Sequence, residues 1–197
     1  QDTPAGRAFF QEMSGESLMA QIAMTDQGYR VEFSPVGLRV AAGSEMGQVY
    51  LADVSTLDAQ VLRGQGSRVS DLSFSPDGSH LATCSHDGVV RLLRFEGLAA
   101  TQERQFVAPD ARAVSFSPKG KILAVGSGDG LIRFWDSESG ALLRSVQAHK
   151  DEVADLAFDP SGRRLASASY DGNIVLWDVE TGGRLRLMQG HEGRVYC

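Results

Sequence analysis

The sequence has little cysteine and no long hydrophobic stretch. Cys84 and Cys197 are its two cysteines, too few for the disulfide framework of a small secreted domain. No apolar run approaches the length of about 18 residues that a membrane-spanning helix needs. The first ten residues, QDTPAGRAFF, lack the basic start and the apolar segment of a secretory signal. We therefore expect a chain in a reducing compartment, the cytoplasm, with the nucleus as the alternative location.

An excess of positive charge is also missing. The chain has 19 lysines and arginines against 25 aspartates and glutamates, which gives a formal net charge of −6. Such a chain lacks the broad basic surface that nucleic acids and anionic membranes attract. Its 42% hydrophobic and 22% charged residues are typical of a globular protein. The expected partners are other proteins or peptides, with no nucleic acid and no membrane.

What the sequence does have is a repeat. Four segments align without a gap, beginning at Phe33, Phe74, Phe116 and Phe158, so that successive segments start 41 or 42 residues apart. The second and fourth read FSPDGSHLATCSHDGVVRLLR and FDPSGRRLASASYDGNIVLWD. Four columns of small residues recur in all of them: Gly37, Gly78, Gly120 and Gly162; Ala41, Ala82, Ala124 and Ala166; Ser44, Ser85, Ser127 and Ser169; Gly47, Gly88, Gly130 and Gly172.

Each repeat predicts four β-strands. A short alternating run such as VADLAF ends at a Ser-Pro-x-Gly or related turn, in which proline fixes φ and glycine tolerates positive φ. A second run ends at Asp-Gly, which is a strong hairpin signal, and two further runs follow. Helical periodicity is missing throughout. Four short strands repeated about every 42 residues are typical of a β-propeller blade.

The repeat resembles the Trp-Asp (WD) repeat family of β-propellers over nearly the whole chain. The resemblance implies an all-β fold, a β-propeller of WD repeats with four complete four-stranded blades plus partial blades at both termini. We expect a single propeller segment over 1–197 that is a fragment of a longer propeller and self-associates or needs further blades to close. Its predicted parts are a partial blade at 1–24, repeats at 25–65, 66–107, 108–149 and 150–191, and the start of another blade at 192–197.

The resemblance also implies a structural role for four polar columns. In the family, a histidine before the first strand, a Ser/Thr on the second, the turn Asp and the Trp of the third form a buried hydrogen-bonded chain. The fourth repeat has all four residues: His149, Ser167, Asp171 and Trp177. A buried indole N–H and a buried carboxylate each need a partner, and a connected network supplies both.

The other repeats keep fewer of these residues. The third keeps Asp129 and Trp135, the second keeps Thr83 and Asp87, and the first keeps none. Apolar residues or Gln65 occupy the remaining positions of the second and third repeats. We therefore expect apolar blade interiors there, and a smaller effect of Asp87→Ala than of Asp171→Ala on stability.

Three motifs are suggestive of chemistry, and we assign none of them a catalytic, cofactor or metal site. The Ser, His and Asp of SHDG (85–88) are adjacent on a strand and turn, so their side chains do not converge as a triad requires. His80, Cys84 and His86 share strand parity, but Cys84 lies in a column of small residues and no fourth zinc ligand is near. The glycine-rich GSGDG precedes a strand, whereas phosphate loops precede a helix.

Two columns should reach the loop face around the central channel, where propellers usually bind their ligands. One precedes each turn Asp and the other precedes each first strand. Among their members, the candidate partner-binding residues are Arg68, His86, Glu152, Tyr170 and Arg194. The expected function is a non-catalytic protein-interaction scaffold. The alternative is a sensory propeller of a larger signalling protein whose enzyme domain, such as an NTPase, lies outside this segment.

Overall fold

The computed structural model describes residues 7–11, 19–23, 28–56, 58–62, 65–97, 99–191 and 193–197, with side chains from residue 30 onward. The regular structure of these residues is entirely β-strand. The strands are β1 (Arg7–Gln11), β2 (Met19–Ala23), β3 (Gly28–Phe33), β4 (Arg39–Ser44), β5 (Val49–Asp53), β6 (Ala59–Leu62), β7 (Val69–Phe74), β8 (His80–Ser85), β9 (Val89–Glu96), β10 (Ala99–Val107), β11 (Ala111–Phe116), β12 (Ile122–Ser127), β13 (Leu131–Asp136), β14 (Leu142–Gln147), β15 (Val153–Phe158), β16 (Arg164–Ser169), β17 (Ile174–Asp178) and β18 (Arg184–Met188).

Sixteen of these strands form four antiparallel sheets of four strands each. The sheets are β3–β6, β7–β10, β11–β14 and β15–β18, and within each the strands pair in chain order. We refer to them as the first to fourth blades. The inner strand of each blade ends on the phenylalanine that opens the aligned segment, namely Phe33, Phe74, Phe116 and Phe158. The predicted all-β fold with four four-stranded blades is confirmed.

Two turns organise each blade, as the third blade illustrates. Gly120 N–H donates to the Ser117 carbonyl at 2.8 Å, which closes the Ser-Pro-Lys-Gly turn between β11 and β12. Gly130 N–H donates to the Ser127 carbonyl at 3.1 Å, which closes the Asp-Gly turn between β12 and β13. Both glycines have positive φ, 73° and 75°. Glycine adopts this conformation without the steric penalty of a side chain, so the two glycine columns fix the hairpins.

The hydrophobic core is divided among the seams between neighbouring blades. In β12, Leu123 and Val125 join the cluster that packs against the second blade, whereas Ala124 joins the cluster that packs against the fourth. Alternating side chains thus bury both faces of the sheet. Phe106 and Trp135 meet across the seam between the second and third blades with ring centroids 5.6 Å apart. Each blade is therefore stabilised mainly by its neighbours.

One column at the seams requires very small residues. A Cβ atom added to Gly126 would lie 2.5 Å from Val153 Cγ1, and one added to Gly43 would lie 2.6 Å from Val69 Cγ1. Both valines open the inner strand of the following blade. At the seam between them, the equivalent residues are Cys84 and Ala111, which share one buried cluster. We call each such couple a seam pair. Where one blade contributes glycine the next contributes valine, and where it contributes cysteine the next contributes alanine.

Polar side chains of the inner strands hydrogen-bond to the backbone of the next blade. Glu32 accepts from Phe74 N–H at 3.0 Å, and Asp71 accepts from Val114 N–H at 3.0 Å. Burial, with the nearby Asp71 charge, raises the pKa of Glu32 to about 8 despite the Phe74 hydrogen bond. Burial raises the pKa of Asp71 to about 6, although Arg30 lies 3.3 Å away and opposes the shift. Protonation of these carboxyls therefore favours the folded state.

Glu32→Gln is expected to remove a pH-dependent loss of stability between pH 7 and 9. A carboxyl whose pKa is raised on folding stabilises the protein below its unfolded pKa, and that stabilisation is lost as the pH rises through about 8. Glu32 is only half-buried, so the unfolding free energy should fall by roughly 1 kcal/mol over this range in the wild type. Urea unfolding at pH 7 and 9 measures the change. The exposed control Glu138→Gln should retain the wild-type slope, and an unchanged slope in Glu32→Gln would contradict the assignment.

Arginines on the outer strands also connect the blades. Arg104 of β10 donates to the carbonyls of Ser139 and Glu138, both at 2.8 Å. Arg144 of β14 donates to the carbonyl of Val179 at 2.6 Å and to that of Glu180. These carbonyls belong to the turn between the third and fourth strands of the following blade. The planar guanidinium fork suits such paired acceptors.

The described strands form an open arc of blades. Inner strands contact in succession from β3 through β7 and β11 to β15. β1 and β2 pair with each other as a two-stranded antiparallel sheet, at the position that the alignment gives to the partial blade at 1–24. Residues 193–197, within the predicted start of another blade, form no strand. Val195 N–H nevertheless donates to the Ser169 carbonyl at 3.0 Å, which holds this segment against the fourth blade.

Candidate functional site

The fourth blade contains the polar chain that the sequence pattern describes. Trp177 Nε1 donates to Ser167 Oγ at 2.9 Å, and Ser167 Oγ lies 2.7 Å from His149 Nε2. His149 Nδ1 lies 3.1 Å from Asp171 Oδ2. Burial lowers the pKa of His149 more than the Asp171 carboxylate raises it, so the imidazole is neutral at pH 7. These hydrogen bonds connect the segment before β15 to β16, to the turn after β16 and to β17.

The second blade contains a different polar chain, built around an arginine. Gln65 takes the place of histidine and donates to Thr83 Oγ1 at 2.6 Å. Arg91, which is 9% exposed, donates to Gln65 Oε1 at 2.6 Å and to Asp87 Oδ2 at 2.8 Å. The expectation of an apolar interior in this blade is therefore wrong. The physical reason is that Arg91 on β9 supplies the partners that the alignment columns alone do not show.

The third blade is also polar in this region. Arg133 donates to Asp129 Oδ2 at 2.7 Å and to Ser127 Oγ at 3.0 Å. Trp135 is buried against Phe106 at the neighbouring seam. Val125 lies in the same buried apolar cluster as Trp135, so the interior of this blade is apolar as expected, and the Arg133–Asp129 pair lies at its partly exposed edge. Arg91 and Arg133 occupy the position that Val175 holds in the fourth blade, where His149 takes up the polar role instead.

The candidate partner-binding residues lie on the face where the inner strands begin, which we call the channel face. His86 Nε2 lies 2.7 Å from Arg68 Nη2 and also contacts Arg112 Nη1. Arg112 in turn forms ion pairs with Asp110 at 2.9 Å and with Glu152 at 3.3 Å. Arg68, His86 and Glu152 are thus brought together, through Arg112, from the second, third and fourth blades.

His86 accepts hydrogen bonds in this cluster only while it is neutral. Burial lowers its pKa, and the charges of Arg112 and Arg68 lower it further. Burial raises the pKa of Glu152, against the effect of Arg112. A neutral imidazole between two guanidinium groups holds both cations in place without adding a third positive charge. His86 therefore positions Arg68 and Arg112 at the channel face.

The remaining two candidates form an aromatic cluster beside the first. The Arg194 guanidinium lies 4.6 Å from the centroid of the Tyr170 ring, and the Tyr170 and Tyr196 rings meet edge to face at 5.0 Å. A cavity of about 220 Å³ lies between the two clusters. Its lining includes Arg30, Arg68, Ser70, Arg112, Glu152 and Tyr170.

Sequence reasoning missed Arg112, which connects the cluster. It lies two residues beyond Asp110, in a column whose other members include Ser70, Ala154 and Tyr196. A lone charged side chain within an inner strand is the signal that could have found it. Arg91 and Arg133 give the same signal on third strands, because a charge within an apolar run needs a buried partner.

The described part of the chain holds no group of three or more His, Cys, Asp or Glu side chains arranged for a metal ion. His80 pairs with Glu103 at 2.8 Å, and Cys84 is fully buried. Burial raises the pKa of the Cys84 thiol well above its ordinary value. In the same residues, no helix is long and apolar enough to cross a membrane.

Comparison with known proteins agrees with this architecture. The family model "WD domain, G-beta repeat" matches residues 58–93 and 140–178, and the model "Anaphase-promoting complex subunit 4 WD40 domain" matches residues 100–155. With four blades of this pattern, the chain is a WD-repeat protein of the β-propeller type. It belongs to the WD repeat family.

Similar proteins share short segments with the chain. Echinoderm microtubule-associated protein-like 2 of Rattus norvegicus is 36% identical over 69 residues, which cover 34% of this chain and 11% of that protein. The Homo sapiens protein of the same name is 41% identical over 59 residues, covering 29% of this chain and 9% of that protein. WD repeat-containing protein SL1-17 of Schistosoma mansoni is 36% identical over 64 residues, covering 32% and 21%. The matches thus span about a fifth or less of these relatives.

Proposed function

We propose that this chain is a non-catalytic interaction module that binds partner proteins or peptides through its channel face. The observation that carries the proposal is the convergence of arginine, glutamate and tyrosine side chains from four blades around one cavity. Arginine and tyrosine dominate the residues that anchor protein interfaces. The side chains are held by one another, so binding requires little reordering. WD repeats are in general interaction modules, which agrees with this role.

Selection of random 12-residue peptides on the full chain tests the proposal. Tyr170→Ala should weaken binding of the selected peptides at least about tenfold, because a central aromatic anchor carries a large share of interface energy. Lys119→Ala is the matched control, since Lys119 is exposed in a turn at the opposite end of the inner strands. Fluorescence anisotropy gives the dissociation constants, and circular dichroism verifies that both variants fold. Equal affinities for wild type and Tyr170→Ala would refute binding at this face.

Self-association and a cytoplasmic location, with the nucleus as the alternative, stay predictions. Light scattering of the chain in reducing buffer measures the first. The proposed interaction does not depend on either, because the cluster at the channel face lies within one chain.

A further inference from the structure

One of the serines that line the cavity at the channel face is buried. Ser70 is 6% exposed, and its Oγ has no hydrogen-bond partner within the described part of the chain. It lines the cavity of about 220 Å³ together with Arg68 and Arg112. Buried hydroxyls are normally hydrogen-bonded, and one that is not costs stability. A ligand that accepts a hydrogen bond inside the cavity would remove this cost.

The charges of the lining favour an anion. Arg30, Arg68 and Arg112 line the cavity, and Glu152 is the carboxylate among its lining residues. Asp71, which pairs with Arg30 at 3.3 Å, is not among the lining residues. The other carboxylates paired with Arg68 and Arg112 are Glu45 and Asp110, whose side chains are 50% and 47% exposed. Those two carboxylates lie near solvent, so an anion entering the cavity meets mainly guanidinium groups and the Ser70 hydroxyl. Charge-assisted hydrogen bonds to guanidinium are among the strongest in proteins.

The size and walls of the cavity can accommodate the end of an acidic side chain. Its volume of about 220 Å³ corresponds to roughly seven water molecules at about 30 Å³ each. Tyr170 supplies an aromatic wall beside the polar groups. Glu152 disfavours a ligand with two negative charges, because a like charge within the same cavity repels it.

We infer that this cavity binds the carboxylate of an aspartate or glutamate side chain that a partner protein inserts from the channel face. The inference rests on the proposed function and specifies what the partner presents. The carboxylate accepts from the Ser70 hydroxyl and from the guanidinium groups of Arg68 and Arg112. His86 and Glu152 hold these donors in place.

The peptides selected on the full chain test this inference. They should share an acidic position, and replacing that residue with its amide should weaken binding at least about tenfold. Ser70→Ala should weaken binding about fivefold without lowering the midpoint of thermal unfolding, because its hydroxyl has no partner to lose among the residues that the structure describes. The exposed Ser145→Ala on β14 is the matched control and should change neither quantity. The acid-to-amide and Ser70→Ala changes should not add, because both break one contact.

Each of the remaining outcomes would contradict one part of the inference or the proposed function itself. If the amide peptide binds as well as the acid while Tyr170→Ala still weakens binding, the carboxylate inference fails and the proposed function stands. If Tyr170→Ala also has no effect, both fail. Additive effects of the two changes would exclude Ser70 as the contact. A third experiment replaces the acidic residue of the peptide with phosphoserine, and this peptide should bind more weakly. Binding about tenfold tighter would show that the cavity prefers a phosphate and would overturn the carboxylate inference.

Discussion

Asp87→Ala is expected to lower the free energy of unfolding by about 3 to 4 kcal/mol, more than the 1 to 3 kcal/mol or so expected for Asp171→Ala. The two aspartates are closely matched in the backbone contacts they make. Asp87 accepts from the N–H groups of Gly66 and Val89, and Asp171 accepts from those of Lys150 and Asn173. The comparison therefore isolates the side-chain partner.

That partner is an arginine in one blade and a neutral histidine in the other. Arg91 has a side chain only 10% exposed and lies 2.8 Å from Asp87. Removing the carboxylate leaves a charge in a poorly solvated site, whereas removing Asp171 leaves the neutral His149. The expected loss of stability is therefore larger for Asp87→Ala than for Asp171→Ala, which reverses the expectation from the sequence alignment alone.

Urea unfolding of both variants at pH 7 measures the difference. The double variant Asp87→Ala with Arg91→Leu should be more stable than Asp87→Ala, because an apolar side chain replaces the unpaired charge. Unchanged denaturant slopes would establish that the effect is on stability and not on the extent of unfolding. If Asp87→Ala costs less than Asp171→Ala, Arg91 is not held by this carboxylate.

The sequence predicted the strands and turns because each is set by local chemistry. Gly120 and Gly130 occupy turns that need positive φ, and the alternating runs on either side follow the period of a strand. Phe116 ends the inner strand of its blade, as the equivalent phenylalanines do in the other three. The chain of Trp177, Ser167, His149 and Asp171 could be predicted because the WD-repeat resemblance assigns a role to these four positions, and the fourth repeat has the expected residue at each of them.

The channel-face cluster and the arginine networks could not be predicted from the sequence in the same way. Arg112 joins residues from three blades, and its partners Asp110 and Glu152 are fixed by how the blades pack. Arg91 takes up its polar role from a column that holds Val175 in the fourth blade. Such substitutions preserve satisfied hydrogen bonds while changing the residues that make them, so column-by-column comparison misses them.

Gly126→Cys is expected to destabilise the protein by about 2 to 3 kcal/mol, and Val153→Ala to relieve part of that loss, because alanine lacks Cγ1 but keeps Cβ. In Gly126→Cys, the new Cβ would lie 2.5 Å from Val153 Cγ1 and 2.8 Å from Val153 Cβ. Val153 opens an inner strand and is fully buried, so it cannot move into solvent. The overlap must shift one blade against the next, which weakens the whole seam.

The pair of changes copies a seam that the protein already has. Cys84 and Ala111 occupy the equivalent positions between the second and third blades, and both are fully buried. Val153→Ala alone should cost about 1 to 2 kcal/mol, because it removes two methyl groups and leaves a gap opposite Gly126. Cysteine at 126 fills that gap. The double variant should therefore be more stable than the sum of the two single effects by about 1 kcal/mol.

The reciprocal exchange at the second seam provides the control. Ala111→Val should be destabilising beside Cys84, and Cys84→Gly should rescue it by restoring the couple found at Gly43 and Val69. Urea unfolding in reducing buffer gives all the free energies, with the reductant keeping the introduced thiol from oxidising. Additivity at both seams would mean that the blades adjust independently of these couples. Coupling at both seams would establish that the packing of neighbouring blades depends on the sizes of the two residues in a seam pair. Transferring a blade to another position in the propeller would then require transferring the partner residue with it.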